Sequence, residues 1–470
     1  MKKNEIIRLT ITNYSNDGSG VGRYEGMAVF VPFTAIGDEI DARIVKVKKT
    51  YAYGIIDSIL TASPARIDVD CPHYGRCGGC NFRHISYEEE LKAKEQFVTD
   101  ALKHIGNIET VIEPIIGAPH TDYYRNKVQF PISSSEDRLF PAFYQPRSHR
   151  AIDISDYCKL QPEVMNQIAV DACDVLSELG ETAYNEVLRE GNIRHLLIRK
   201  SSIDGSVLLC VICRLGYLCD ENRFIKKMCD LHPEISTIVT NKNETEGNEI
   251  LSETHRVIYG SGYIEDVIAD VPVNIAYDSF YQINQESTEN LYRCVKDFAS
   301  VKENDVVVDL YCGAGTIGLS CSGNDCVLIG VDVIGRSIES ARNAASQLGR
   351  KNAEFVIGDS SYLQTIIENG IRPSLIITDP PRKGCSSSVI QSIISSKTEK
   401  IVMVSCNPST LARDLKLLMD GGYNLDKIQP VDMFPRTKHV ETVCCLYHQK
   451  KDFFFVPYEP KDAEYLKKTK

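Results

Sequence analysis

No stretch of this chain is apolar for long enough to span a bilayer, and its first residues contain no apolar core of a cleavable leader. A membrane protein is therefore not expected, and the cytoplasm is the expected location. An excess of positive charge is also missing: 53 Lys and Arg stand against 64 Asp and Glu, for a net charge of -11. Binding to nucleic acid cannot then rest on bulk charge and would need local basic faces. Internal repeats and low-complexity tracts are absent, which excludes solenoids and arrays. Cysteine is abundant, but its count of 17 is odd, and many copies sit in apolar runs such as Val207 to Cys213. That pattern suits reduced core thiols, with a few kept for metal or catalysis, and not a secreted disulfide framework. With 470 residues, 43% of them hydrophobic, two or three domains are expected.

What the chain does have is three apolar runs, each ending in chemically useful residues. Ile401-Val-Met-Val leads into Ser405, Cys406, Asn407 and Pro408. A β-branched run stopped by proline predicts a central strand of a parallel sheet, and such sheets place their chemistry past the carboxyl ends of their strands. Ser374-Leu-Ile-Ile-Thr is followed by Asp379-Pro-Pro-Arg382, and Val306-Val-Val by Asp309-Leu-Tyr-Cys-Gly-Ala-Gly315. One rim would thus receive a thiol, a carboxylate and a glycine turn.

From about residue 280, strands alternate with helical segments, as in a doubly wound α/β domain. Glycines between a strand and a helix let the backbone pass close to a ligand. Asp332 ends the next strand, where an adenosine ribose needs a hydroxyl acceptor. The full dinucleotide fingerprint and a P-loop lysine are both missing, so S-adenosylmethionine is expected in preference to NAD or ATP. Methyltransferases acting on amino groups usually carry an aromatic residue after the two prolines; here Arg382 stands there. A ring carbon is the expected target. C5 of a pyrimidine is barely nucleophilic until something adds at C6, and a thiolate at Cys406 can do that. A base must then take the C5 proton, and Glu441, in His439-Val-Glu-Thr-Val443, lies among apolar residues where burial would raise its pKa. The competing readings are a core cysteine at 406 and an ion pair of Glu441 with His439 or Lys438.

Upstream, residues 1–60 read as short strands separated by Gly and Asp turns, a small barrel. Basic and apolar residues alternate from Arg43 to Lys49, as a solvated strand face or as an RNA-binding one. Cys71, Cys77 and Cys80 lie close together in a glycine-rich loop and can wrap a soft metal centre. Cys158, flanked by polar residues, is the candidate fourth ligand, and zinc would accept the same set. Ser86 to Ile108 predicts an amphipathic helix with a serine cap. A mixed region follows to about residue 275, including a basic and aromatic strand from Tyr124 to Phe130.

Residues 1–60 closely resemble a TRAM domain, an OB-like RNA-binding barrel. Nearly the whole chain resembles the uracil-C5 RNA methyltransferases that join such a barrel to an iron-sulfur site and a Rossmann-like catalytic domain, in particular their 23S ribosomal RNA members of the RlmD and RlmCD type. The resemblance implies a multidomain α/β protein: a barrel over 1–60, a central α+β domain with the cluster loop over 61–278, and a catalytic domain over 279–456, on which residues 86–115 dock. It implies Cys406 as nucleophile and Glu441 as general base, with Gln282, Tyr311, Asp332 and Asp379 contacting S-adenosylmethionine. Cys71, Cys77, Cys80 and Cys158 match the ligands of a 4Fe-4S cluster that is structural or RNA-positioning. Thr316 replaces an asparagine of some relatives and Asp332 a more usual glutamate; both keep hydrogen-bonding character. The implied partner is 23S ribosomal RNA, with no protein partner evident. A transfer RNA uracil methyltransferase and a non-catalytic iron-sulfur RNA-binding protein are the alternatives. A cytosine-C5 enzyme would also use a cysteine, but this chain lacks those families' motif context.

Overall fold

The N-terminal strands β1 (Ile6–Tyr14), β2 (Gly20–Tyr24), β3 (Met27–Val31), β4 (Glu39–Val47) and β5 (Tyr51–Thr61) close into a barrel in the order β1-β2-β3-β5-β4. Alternation in β1 explains the closure. Ile7, Leu9 and Ile11 point into the barrel core while their neighbours face solvent, the period of two that a half-buried strand requires. This is a computed structural model, and it describes residues 1–136, 138–156, 158–247 and 249–449. The expected end of the catalytic domain, 450–456, lies outside the described residues. No helix among the described residues is long and apolar enough to cross a membrane.

After the cysteine loop comes α1 (Tyr87–Ala101), capped by the Ser86 hydroxyl, which accepts from the Glu89 amide at 3.3 Å. It ends in a wide turn, Leu102–Gly106, closed by Asn107 in the left-handed region. The middle of the chain supplies β6 (Lys127–Ser135), β7 (Arg138–Tyr144), β8 (Ala151–Asp153), α2 (Glu163–Glu178), β9 (Ile193–Lys200), β10 (Val207–Cys213), α3 (Glu221–Leu231), β11 (Ile235–Lys242) and β12 (His255–Tyr259). These strands form one sheet in the order β12-β11-β10-β9-β6-β7-β8. Every residue of β10 is buried, and the two faces explain why. Leu209 and Val211 pack with α2 and α3, while Leu208, Cys210 and Ile212 share a core with residues of the C-terminal half. The hydrophobic core therefore runs across residue 278 without a break.

A hairpin, β13 (Tyr263–Ile268) and β14 (Val271–Ala276), leads to α4 (Gln285–Ala299) and then to β15 (Val306–Leu310), α5 (Thr316–Cys321), β16 (Val327–Asp332), α6 (Gly335–Gln347), β17 (Ala353–Ile357), α7 (Tyr362–Glu368), β18 (Leu375–Thr378), α8 (Ser387–Ser396), β19 (Lys400–Ser405), α9 (Pro408–Asp420), β20 (Tyr423–Val431) and β21 (Glu441–His448). The sheet order is β17-β16-β15-β18-β19-β21-β20. Its first five strands run parallel, and β21 inserts antiparallel between β19 and β20. Strand order reverses between β15 and β18, where a doubly wound sheet opens its ligand crevice.

Candidate active site

Three strand ends build the crevice. Cys406 follows β19 directly, and Asn407 caps α9 by accepting from the Ser409 amide at 3.0 Å, with Pro408 in the first turn. Proline fits there because that amide needs no helical partner. Register sets the neighbour across the sheet. Ser405 pairs with Thr442, so one step further Cys406 stands opposite Glu441, and residues opposite each other on antiparallel strands share a face. On the other flank Asp379 follows β18, beside the end of β15, its amide donating to the Leu310 carbonyl at 3.5 Å.

The glycine turn between β15 and α5 is drawn tight. Tyr311 takes a left-handed φ of 62°, unusual for a tyrosine and a strain typical of functional loops. Gly313 donates its amide to Asp332 at 3.1 Å, and the other Asp332 oxygen accepts from the Ile334 amide at 2.9 Å. A Cβ on Gly313 would meet nothing within 4 Å, so the turn faces open space that a ligand can fill. At Gly315, with φ 74°, a Cβ would come within 2.7 Å of Phe355, so only glycine fits. Gln282 lies on the segment before α4, whose backbone is held by Asn126: its side chain donates to the Gln282 carbonyl at 2.8 Å, and its amide donates to that of Ile283 at 2.9 Å.

The rim is acidic, with Glu441 buried and Asp379 and Cys406 half-buried. Burial lifts Asp379 to about 6. Burial, reinforced by Asp379 and partly opposed by Arg382, lifts Glu441 well above the usual carboxylate range. Cys406 is pushed up to about 11, by burial first and then by the charges of Glu441 and Asp379, while Arg382 pulls it down. A thiol in this state is a poor nucleophile near neutrality, because only the thiolate attacks. Arg382 is thus the cation that matters at Cys406, and a test follows from the sign. With Arg382→Gln the thiol should rise further, so iodoacetamide should label Cys406 more slowly in mildly alkaline buffer, read by peptide mass spectrometry. Unchanged labelling would rule out that electrostatic role.

Residues 250–451 match the family model described as tRNA (Uracil-5-)-methyltransferase, and residues 2–56 match the TRAM domain. An uncharacterized RNA methyltransferase of Halalkalibacterium halodurans is 37% identical over 95% of this chain and 98% of its own. One from Clostridium tetani is 36% identical over 96% and 98%. The chain belongs to the RNA uracil-C5 methyltransferase family. Among solved structures, the Pyrococcus abyssi tRNA (uracil-54, C5)-methyltransferase in complex with S-adenosyl-L-homocysteine superposes with a TM-score of 0.73 at 26% identity, covering 94% of this chain and 100% of that one. The protein is an S-adenosylmethionine-dependent RNA methyltransferase carrying an N-terminal TRAM barrel.

In this methyltransferase further side chains brace the crevice. Asp309, buried beneath the glycine turn, accepts from the Gly318 amide at 3.0 Å and is raised to about 8 by burial, despite that hydrogen bond. The Tyr292 hydroxyl of α4 meets the Thr316 hydroxyl at 2.7 Å, which ties α4 to the start of α5. Arg382 approaches the His439 ring at 3.2 and 3.3 Å; burial first, and then this cation, lower His439 to about 4, so it stays neutral. The Arg382 carbonyl accepts from the Asn407 side chain at 3.0 Å, joining the two strand-end loops. Of these Tyr292 alone was not singled out in the sequence, since nothing around it in α4 announces a contact with Thr316; Asp309, Arg382 and His439 lie within the motifs read there.

The four cysteines singled out by their spacing, Cys71, Cys77, Cys80 and Cys158, all line one cavity of about 290 Å³. Among the described residues no group of three or more His, Cys, Asp or Glu side chains is arranged to hold a single metal ion. The donors nevertheless fit a larger thiolate-bound group. The Gly79 amide donates to the Cys77 sulfur at 3.3 Å, Arg125 lines the same cavity, and most of the remaining lining is apolar.

Proposed function

We propose that this enzyme methylates C5 of a uridine in 23S ribosomal RNA through a transient bond between Cys406 and C6. The observation that supports the reading is the register pairing Ser405 with Thr442, which leaves Cys406 and Glu441 one step beyond it on neighbouring strands, with Asp379 and the glycine turn at adjacent strand ends. S-adenosylmethionine, when bound, supplies an electrophilic methyl carbon. The Cys406 thiolate adds to C6, its electron pair completing the new bond while the ring electrons pass toward O4 and make C5 nucleophilic. Once C5 carries the methyl, Glu441 takes the C5 proton and the thiolate departs, restoring the ring. Glu441 suits this role because burial raises its affinity for a proton. Asp379, Asp332, Tyr311 and Gln282 line or brace the cofactor side.

The boundaries 1–60, 61–278 and 279–456 are proposed for barrel, central and catalytic domains, and the cytoplasm as the compartment. Cys71, Cys77, Cys80 and Cys158 would hold a 4Fe-4S cluster, whose thiolate ligands spread further apart than those around one zinc ion. A brown protein absorbing near roughly 400 nm is expected on anaerobic purification; a colourless protein with stoichiometric zinc would overturn the cluster.

Transfer RNA is the second substrate reading, favoured by the name of the Pyrococcus structure. RNA containing 5-fluorouridine separates the two, since fluorine at C5 cannot leave as a proton and the enzyme stays attached. A covalent adduct on ribosomal RNA, with none on transfer RNA, is the expected result. Adducts only on transfer RNA would transfer the assignment, and no adduct on either would sink uracil chemistry.

A further inference from the structure

A second cavity, of about 670 Å³, lies between the barrel and the cysteine loop and reaches the segment that precedes Glu441. Its walls come from three parts of the chain: Tyr53 and Ile55 of β5, the loop around Gly78, and Pro146 with Arg147; Lys438 and His439 stand at its far end. The parts are fastened together, since Asn81 donates its amide to the Arg436 carbonyl at 2.8 Å and its side-chain oxygen accepts from the Lys438 amide at 3.2 Å. Charge in the groove runs against that of the whole chain. Arg125, Arg147 and Lys438 line it against one carboxylate, Asp17, while the protein carries -11 overall. Asp17 is already engaged, accepting from the Ser15 hydroxyl at 2.6 Å and the Ser19 amide at 3.1 Å.

At the barrel end three half-buried rings cluster. Phe30, Tyr51 and Tyr53 have centroids 5.5 to 5.7 Å apart, two of the three contacts being edge-on. The Arg147 guanidinium stands 5.9 Å from the centre of the Tyr53 ring and, among the described residues, has no hydrogen-bond or ion-pair partner. An aromatic face beside an uncommitted guanidinium, in a cationic groove, is how proteins take a base and its phosphate together. Duplex RNA hides its base faces, so only an unpaired strand can use such a step.

We infer that the groove guides a single RNA strand from the barrel to Cys406, with a nucleotide flanking the target stacked on Tyr53 and its phosphate held by Arg147. The inference rests on the proposed reaction for the position of the target, but it concerns binding and can be read without turnover. The probe is a fluorescein-labelled oligouridylate of roughly twelve nucleotides, within the reach of a barrel and its groove. Tyr53→Ala should weaken its binding about tenfold, and Tyr53→Phe should retain the wild-type affinity, because the ring and not the hydroxyl does the stacking. Arg147→Gln, on a surface loop, should lower affinity and flatten the salt dependence by about one phosphate contact. A 2-aminopurine placed beside the target should be quenched by wild type and stay bright with Tyr53→Ala. Unfolding midpoints check that each variant is folded.

Equal binding by Tyr53→Ala and Tyr53→Phe, an unaltered salt slope in Arg147→Gln, or equally tight binding of the annealed duplex would each overturn the groove. Wild-type methylation of the RNA, measured in parallel, separates the two ideas. Tight strand binding without methyl transfer sinks the reaction alone; methyl transfer with indifferent Tyr53 and Arg147 variants sinks the groove alone.

Discussion

Cys406→Ala should lower methyl transfer by a factor on the order of 10⁴ or more, the scale seen when a covalent nucleophile is removed. The same change should abolish the adduct with 5-fluorouridine RNA while leaving S-adenosylmethionine binding intact, because the glycine turn and Asp332 sit at the ends of β15 and β16 and Cys406 follows β19. Glu441→Gln should behave differently. Addition and methylation need no proton acceptor at C5, so this variant should accumulate a covalent protein–RNA complex on ordinary RNA, carrying the transferred methyl. Denaturing gels with labelled methyl donor distinguish the two: no complex for Cys406→Ala, a labelled complex for Glu441→Gln. A Cys406→Ala enzyme that still methylates uridine would end the covalent proposal. A Glu441→Gln enzyme turning over at the wild-type rate would assign the base elsewhere.

The second large effect is expected far from the crevice, at Lys94. Its side chain and those of Glu90 and Asp432 are wholly buried. The ammonium donates to Glu90 at 2.7 Å, to Asp432 at 2.8 Å and to the Phe434 carbonyl at 3.2 Å, using all three of its protons. Burial alone would lower its pKa, but Asp432 and Glu90 outweigh burial and hold it above the ordinary value. The partners are committed too: Asp432 accepts from the Tyr87 hydroxyl at 2.8 Å, and Glu90 accepts from the Arg436 amide at 2.7 Å. This network clamps α1 to the segment from Asp432 to Val440 that delivers Glu441.

Lys94→Met should therefore cost about 3–5 kcal/mol, since it strands two buried carboxylates. It would appear as a lower urea midpoint by circular dichroism. Glu90 already sits at about 7 with the lysine present, burial being the main cause. Without the lysine the native state would hold a proton on Glu90 that the unfolded chain releases. Stability of Lys94→Met should then be greatest in mild acid and fall as pH rises through neutrality, more steeply than for wild type. Lys94→Met combined with Glu90→Leu should recover part of the loss, because Asp432 keeps its bonds to Tyr87 and to the Phe434 amide at 3.0 Å. A single variant as stable as wild type at neutral pH would show that the clamp contributes nothing.

Much of the molecule was legible because its cues are local. Alternation in β1, the serine cap of α1 and the apolar runs of β15, β18 and β19 each lie within one segment, and strand ends in a parallel sheet carry chemistry whatever surrounds them. Pro408 reads correctly as the end of β19, though it also opens α9. Other features depend on pairs distant in sequence. Lys94 and Asp432 are 338 residues apart, and no pattern around either announces a buried ion pair. The shared core on both faces of β10 likewise hides behind a run that suits any central strand.

By itself, then, the order of amino acids determined which residues could react: a thiol, carboxylates and a glycine turn at the ends of apolar strands. Only the tertiary structure decided which of them meet. Glu441 comes level with Cys406, one step past the Ser405–Thr442 pair, because β21 enters the sheet antiparallel in one register, and slipping by a residue would turn its carboxylate to the other face. Strand pairing is chosen by burial on both sides of the sheet, a property of the whole core that no single segment contains.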